Sequence, residues 1–159
     1  NPRRKMTKKL HPDRLAVQRD VNYGGRKFST VGNLRFLDYP LCPVHIKSRW
    51  TDEEARNYMN QCIVAARQGA ALIGPFISPK EKMVFDEAVK ERLPIILLVQ
   101  YGFSDYYKPQ GGYFDACSQG DLLLMTEASP ETPSPKRITR DECVALNALA
   151  EELASLGEG

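Results

Sequence analysis

Three short segments, each following an apolar run, hold the residues with the clearest chemical potential. They are Ser48-Arg49-Trp50-Thr51, Gly74-Pro75-Phe76-Ile77-Ser78 and Tyr101-Gly102-Phe103-Ser104. The first two lead into predicted helices, whose unpaired N–H groups and positive dipole end attract phosphate. Gly74 would let the backbone approach a phosphate closely, while Ser78 would add a hydroxyl and Arg49 a charge. Glycine turns and serine caps also occur in α/β proteins that bind no phosphate, so a purely structural interpretation stays open.

The segment from Tyr101 to Phe114 is unusually aromatic. YGFSDYYKPQGGYF contains six aromatic residues beside Lys108 and the pair Gly111-Gly112. Aromatic faces next to a cation suit base stacking with phosphate neutralisation, worth ~1–3 kcal/mol per stacked base. Packing of the rings within the loop, or a dimer contact, would explain the same composition.

Catalytic and metal-binding patterns are missing from the sequence. His11 and His45 have no nearby partner for triad chemistry, and no Walker A, GxGxxG, GxSxG or HExxH pattern occurs. The four cysteines lie far apart without a CxxC, which argues against structural zinc or a disulfide framework and fits a reducing cytoplasm. The sequence therefore predicts a non-catalytic, cytoplasmic chain that holds no cofactor and no metal.

Charge is distributed unevenly along the 159 residues. Residues 1–27 carry a net charge of +7 and the remainder −5. A basic arm on a mildly acidic body indicates contact with nucleic acid, or else a solvated linker behind an upstream domain. No apolar run approaches the roughly 20 residues that span a bilayer, so no membrane partner is expected. The chain starts at Asn1 without a methionine, which favours a piece of a longer protein.

The elements that must position these residues follow from hydrophobic periodicity and capping signals. Residues 1–30 are expected to form an irregular basic arm, followed by a hairpin over Phe28–Leu37 with Gly32-Asn33 as its turn. Apolar runs predict four strands, at Val44–Arg49, Ala70–Ile73, Pro94–Val99 and Asp121–Thr126. Capping boxes, in which a Thr or Ser is followed three residues later by Glu, predict helices beginning after Thr51, Ser78 and Thr139.

This order of elements predicts an α/β fold: a Rossmann-like three-layer sandwich with a mostly parallel sheet, preceded by a basic arm and a β-hairpin. Residues 1–27 are interpreted as the arm, and residues 28–159 as one domain that includes the hairpin. The loops after the first three parallel strands are expected to open on the same edge.

Residues 44 to about 156 resemble the Rossmann-type domain of the DNA-processing protein A (DprA) family, within the wider SLOG group of nucleotide-sensing folds. The likeness rests on VHIKSR, LIGPFISPKEKMVFDEAV, LPIILLVQYGFSDYYKP, LLLMTE and KRITR. It implies contacts to single-stranded DNA or nucleotide phosphate from a set of six residues: Ser48, Arg49, Gly74, Lys108, Arg137 and Arg140.

A second resemblance spans almost the whole chain. NPRRK, VGNLRFL, GPFISPKEK, YGFSDYYKPQGGYFDAC and ITRDECVALNALA are similar to the carboxyl-terminal extension of REP-associated, IS200-like tyrosine transposases. This resemblance implies a role in DNA transposition or recombination, with the tyrosine nucleophile and a divalent metal in a catalytic domain upstream of Asn1.

Two alternatives to a DNA-binding accessory domain remain. Some SLOG proteins are nucleotide phosphoribohydrolases with a Pro-Gly-Gly-x-Gly-Thr loop, to which PQGGYFDAC contributes only Gly111-Gly112. The other alternative is a dimerisation module that uses the aromatic loop as the contact of a homodimer.

Overall fold

The computed structural model describes residues 15–156. In that range six strands form one sheet: β1 (Gln18–Tyr23), β2 (Arg26–Gly32), β3 (Leu41–Pro43), β4 (Ala71–Gly74), β5 (Ile95–Leu98) and β6 (Leu122–Thr126). Their order across the sheet is β1-β2-β6-β5-β4-β3. Strands β3 to β6 are parallel, whereas β2 runs antiparallel to both β1 and β6. The predicted α/β fold with a mostly parallel sheet is confirmed.

In residues 15–156, four α-helices and one 3-10 helix cover this sheet. They are α1 (Asp52–Arg67), α2 (Pro79–Glu91), α3 (Gly112–Gln119), α4 (Arg140–Leu156) and the 3-10 helix Leu34–Asp38. Capping boxes begin three of these helices, α1, α2 and α4. The carboxylates of Glu54, Glu81 and Glu142 each accept from the backbone N–H of the capping residue, and the hydroxyl of that residue accepts from the backbone N–H of the glutamate. The three predicted helix starts are confirmed.

Successive side chains of a strand point to opposite faces, so each strand contributes to two apolar layers. Leu72, Leu97 and Leu124 pack with α1, α2 and α3 through Cys62, Val84 and Ala116, among others. On the other face, Ile73, Ile96 and Leu123 pack with Phe36 and with Leu146, Ala150 and Leu153 of α4. The predicted three-layer arrangement is confirmed.

The predicted hairpin over Phe28–Leu37 is wrong. The hairpin is formed by β1 and β2, and its turn is Gly24-Gly25, with φ of +59° and +77° as two-residue hairpin turns require. Asn33 instead caps the 3-10 helix, since its side chain accepts from the N–H of Arg35. A glycine-asparagine pair serves a turn and a helix cap equally well, so the pair alone did not decide between them. The expected irregular arm over residues 1–30 contains all of β1 and most of β2.

The strand predicted at Val44–Arg49 is also wrong. Strand β3 ends at Pro43, and the following residues form a loop whose first N–H, that of Val44, still donates to the carbonyl of Ile73 at 2.9 Å. A proline is tolerated in β3 because this strand lies at the edge of the sheet.

The cysteines are free thiols. The Sγ atoms of Cys42 and Cys62 lie 3.9 Å apart, and burial raises the pKa of Cys117 to about 12. Among the described residues, no cluster of three or more His, Cys, Asp and Glu side chains is arranged to hold a metal ion. None of the described helices is both long and apolar enough to cross a bilayer.

Candidate functional site

The carboxyl ends of the four parallel strands meet at one edge of the sheet. The segments that follow β3, β4, β5 and β6 therefore share this edge, where open α/β sheets bind their ligands. Each predicted site residue except Gly74, the last residue of β4, lies in one of these four segments or is the first residue of the helix that follows. The segments are 44–51, 75–78, 99–111 and 127–139.

A cleft of about 700 Å³ opens at this edge, between α4 and the segments that follow β3 and β4. It is lined by Ser48, Ile77 and Arg140, so two of the predicted residues and the residue preceding Ser78 come together there. Polar residues that complete the wall are His45, Thr139, Asn147 and Glu151. We refer to this space as the α4 cleft.

Several cations at this edge lack acidic partners. Arg49, Lys108, Arg137 and Arg140 are exposed, and in residues 15–156 no carboxylate lies within 4.0 Å of any of them. By contrast, Nδ1 of His45 lies 3.0 Å from Oε1 of Glu151 on the wall of the α4 cleft. The edge thus offers positive charge outside salt bridges, and Arg140 brings one such charge to the wall of the cleft.

The phosphate-like turn before α2 already contains an anion. The carboxylate of Glu81, which is only 2% exposed, accepts from the N–H of Ile77 at 3.2 Å and of Ser78 at 3.3 Å. Its second oxygen accepts from the N–H of Ile46 at 2.9 Å. The N–H groups of Ile77 and Ser78 are among the donors that the sequence hypothesis offered to a phosphate. A phosphate could bind to them only by displacing the Glu81 carboxylate.

Other residues of this turn have roles within the fold. A Cβ added at Gly74 would lie 3.1 Å from the carbonyl oxygen of Val44, so the close approach of the β3–α1 segment is sufficient reason for a glycine. Pro75 and Phe76 are buried, and the ring of Phe76 packs edge-to-face against Phe85 with centroids 5.2 Å apart.

A glutamate carboxylate likewise accepts from a backbone N–H at the start of α1. Oε1 of Glu54 accepts from the N–H of Thr51, and this bond, together with the Thr51 hydroxyl, lowers the pKa of the Glu54 carboxyl. A phosphate at this edge would therefore have to be bound by side chains, of which Ser48 and Arg49 lie nearest to this helix start in the sequence.

The aromatic loop packs largely against itself. Phe103 is fully buried and stacks on Tyr107 at 4.5 Å, and the hydroxyls of Tyr101 and Tyr107 are 3.0 Å apart. Burial, followed by the hydrogen bond with Tyr101, raises the pKa of Tyr107. Tyr106, which is 93% exposed, is the ring of this loop best placed to stack on a ligand.

The glycines of this loop also have structural roles. A Cβ at Gly102 would lie 1.8 Å from the carbonyl oxygen of Ser129, and its N–H donates to the carbonyl of Thr132 at 3.0 Å. Gly111 and Gly112 form the start of α3, a helix whose first three residues the sequence interpretation had placed in the aromatic loop and whose remainder it did not predict.

Two of the three cations in the described part of the basic arm are paired with the acidic body. Arg19 bonds to Asp105 at 3.0 Å, and Arg26 bonds to Glu127 at 2.9 Å and to Glu152 at 2.7 Å. The remaining arginines and lysines between residues 3 and 14 lie outside the described residues.

Sequence reasoning missed four polar residues of the α4 cleft: His45, Thr139, Asn147 and Glu151. The available signal was Asn147, a polar residue within the apolar stripe of Leu146, Leu149 and Leu153. Asn147 and Glu151 also lie at helical spacing from Arg140, which places all three near one face of α4.

No protein-family model matches this chain, and no curated protein matches it. Among solved structures, the fold is similar to that of DNA processing protein A from Helicobacter pylori, with a TM-score of 0.55 and 18% sequence identity. The fold is DprA-like. The match covers 80% of this chain and 56% of the other, whose structure was described for its single-stranded DNA binding mode. At this identity the likeness establishes the fold and not the ligand.

Proposed function

We propose that this domain binds single-stranded DNA, or the phosphate of a nucleotide, in the α4 cleft. The observation that supports this most directly is that the cleft brings Ser48 and Arg140 together at the carboxyl edge of a DprA-like sheet. Arg49, Arg137 and Lys108 are further exposed cations in the segments that share this edge. A strand that crosses the edge would meet these charges in succession.

Side chains do the binding in this proposal. Arginine binds a phosphate through two parallel N–H···O bonds, and the hydroxyls of Ser48 and Thr139 can donate to the remaining oxygens. Tyr106 offers an exposed ring beside Lys108 for stacking on a base. The amides of Thr51, Ile77 and Ser78 contribute little, because Glu54 and Glu81 already accept from them.

Fluorescence anisotropy with a labelled single-stranded oligonucleotide tests the proposal. Arg140→Ala and Arg49→Ala are each expected to weaken binding about fivefold to tenfold, because each removes a phosphate contact. The matched control is Arg35→Ala. Arg35 is exposed in the 3-10 helix that follows β2, at the amino end of the parallel strands, and should change binding less than about twofold. Equal effects of all three substitutions, or no binding at low salt, would contradict the proposal.

We further propose that the domain serves DNA transposition or recombination beside a DNA-nicking domain. The support is the resemblance of NPRRK, GPFISPKEK and YGFSDYYKPQGGYFDAC to IS200-like transposase extensions. The reading frame upstream of Asn1 tests this context: a His-x-His pair followed by a tyrosine is expected. An upstream sequence without these residues would contradict it.

A further inference from the structure

Two thiols meet between the outer strand β3 and helix α1. The Sγ atoms of Cys42 in β3 and Cys62 in α1 lie 3.9 Å apart, although the two residues are 20 positions apart in the chain. A disulfide requires a sulfur–sulfur distance of roughly 2.05 Å. Strand β3 has only three residues and is an outermost strand of the described sheet, so it can shift by the short distance that remains. The two sulfurs are therefore close enough to be joined by a covalent bond.

The two thiols differ in access and in acidity. Cys42 is partly exposed, whereas Cys62 is 1% exposed and belongs to the apolar layer beneath α1. The hydrogen bond between the two sulfurs lowers the pKa of Cys42 and, together with burial, raises the pKa of Cys62. Because peroxides react with thiolates that they can reach, Cys42 is the sulfur that an oxidant meets first.

The other two cysteines lie elsewhere in the fold. Sγ of Cys117 lies 3.8 Å from the carbonyl oxygen of Val31 in β2, which three strands separate from β3. Cys143 is in α4, on the opposite face of the sheet from α1. Within one molecule, Cys62 is therefore the partner available to an oxidised Cys42.

We propose that Cys42 and Cys62 form a site of reversible oxidation by hydroperoxides. The Cys42 thiolate attacks one oxygen of hydrogen peroxide and becomes a sulfenic acid, while the O–O bond breaks and the hydroxide that leaves takes up the Cys42 proton. The Cys62 sulfur then attacks the Cys42 sulfur, so that the S–S bond forms, the S–O bond breaks and the leaving hydroxide takes the Cys62 proton. Two thiols are thus oxidised to one disulfide, and one peroxide is reduced to two molecules of water.

The disulfide would tie the outer strand of the sheet to α1. It would close a ring that contains the whole segment 44–51, and with it Ser48 and Arg49. A cross-link that closes a ring of this length disfavours the unfolded chain more than the folded one. This chemistry requires no nucleic acid, so it stands apart from the proposed DNA binding.

Alkylation and mass spectrometry test the proposal on the reduced protein. After treatment with hydrogen peroxide, unfolding and reaction with N-ethylmaleimide, the number of alkylated cysteines is expected to fall from four to two. Proteolysis should then release one pair of peptides joined through Cys42 and Cys62. Dithiothreitol should restore all four thiols.

Variants at the two positions separate the two steps. Cys42→Ser should leave Cys62 reduced, because peroxide does not reach a buried thiol of raised pKa. Cys62→Ala should form no disulfide and should accumulate a sulfenic acid at Cys42, which dimedone labels. The matched control is Cys143→Ser, which removes a partly exposed thiol on the opposite face and should leave the disulfide unchanged.

Urea unfolding measures what the disulfide does to the fold. The oxidised protein is expected to have an unfolding equilibrium constant about a hundredfold lower than the reduced protein. In Cys42→Ser, treatment with peroxide should change this constant less than about twofold, because no cross-link forms.

Three results of the alkylation experiment would overturn the inference: four alkylated thiols after oxidation, a disulfide that joins Cys117 or Cys143 in place of this pair, or a lasting dimedone adduct at Cys42 in the unsubstituted protein. An oxidised protein no more stable than the reduced one would overturn it as well, because β3 would then not be tied to α1.

Discussion

At the scale of single residues, Glu81 decides how the turn before α2 works. Its carboxylate accepts from the N–H groups of Ile46, Ile77 and Ser78 while almost fully buried. The bonds tie the loop after β3 to the turn after β4. An internal anion thus takes the place that an external phosphate has in many α/β proteins, and it fixes the loop that presents Ser48 to the α4 cleft.

Removal of this carboxylate should be costly. Glu81→Ala is expected to lower the free energy of unfolding by about 2–4 kcal/mol, because it leaves buried amides without a partner. Urea unfolding measures the loss. Glu53→Ala is the control: Glu53 is an exposed carboxylate in the first turn of α1 and should cost less than about 1 kcal/mol. Equal costs at the two positions would show that Glu81 has no special role.

At the scale of elements, sequence motifs predicted a helix correctly where a few consecutive residues determine where it begins. Thr51, Ser78 and Thr139 predicted their helices because a capping box involves four consecutive residues. The hairpin and α3 were misassigned because glycine pairs fit several structures, and the surrounding fold selects one. The same capping boxes weaken the phosphate hypothesis, because the carboxylates of Glu54 and Glu81 already accept from N–H groups at the starts of α1 and α2.

The contact between the hairpin and α4 should depend on pH. Arg26 bonds to Glu152 and so holds the pKa of that carboxyl below its ordinary value of 4.5. A lowered carboxyl pKa stabilises the folded state above the unfolded value, and this contribution is lost as pH falls through the folded value. Protection factors of β1–β2 amides in hydrogen exchange should therefore stay constant from neutral pH to about 5 and fall below it.

Arg26→Ala should remove this pH dependence from the hairpin, whereas the exposed neighbour Lys27, changed to Ala, should leave it intact. Amides of β5 provide an internal reference, because this strand is buried in the centre of the sheet. A hairpin whose acid sensitivity is the same with and without Arg26 would refute the link.

At the scale of the molecule, the sequence predicted the edge of the sheet better than the site. Parallel strands made it predictable that Ser48, Gly74 and Gly102 would lie on one side. It was not predictable that α4 would pass next to this edge and add Asn147 and Glu151, because that depends on helix packing between distant residues. Nor did composition reveal that the rings of Phe103 and Tyr107 stack on each other.

The salt dependence of DNA affinity measures how many cations at the carboxyl edge of the sheet contact phosphates. Beyond residue 27 the chain has a net charge of −5, so attraction to DNA in this body depends on local cations. If Arg49, Lys108, Arg137 and Arg140 each neutralise one phosphate, log K should fall with log[salt] with a slope of about −3. Arg49→Ala and Arg140→Ala should each reduce its magnitude by about 0.7, and Arg35→Ala should not. If neither Arg49→Ala nor Arg140→Ala changes the slope, the prediction is wrong and other residues contact the DNA phosphates.

The two outer strands of the described sheet are both poor templates for another strand. Strand β3 has only three residues and ends in a proline, and β1 carries an irregularity between Gln18 and Val21 where Asp20 has a φ of 52°. Short, proline-containing or bulged edges discourage the edge-to-edge pairing that leads to aggregation. Contacts between copies of this domain are therefore expected to use helices or loops rather than a continuous sheet.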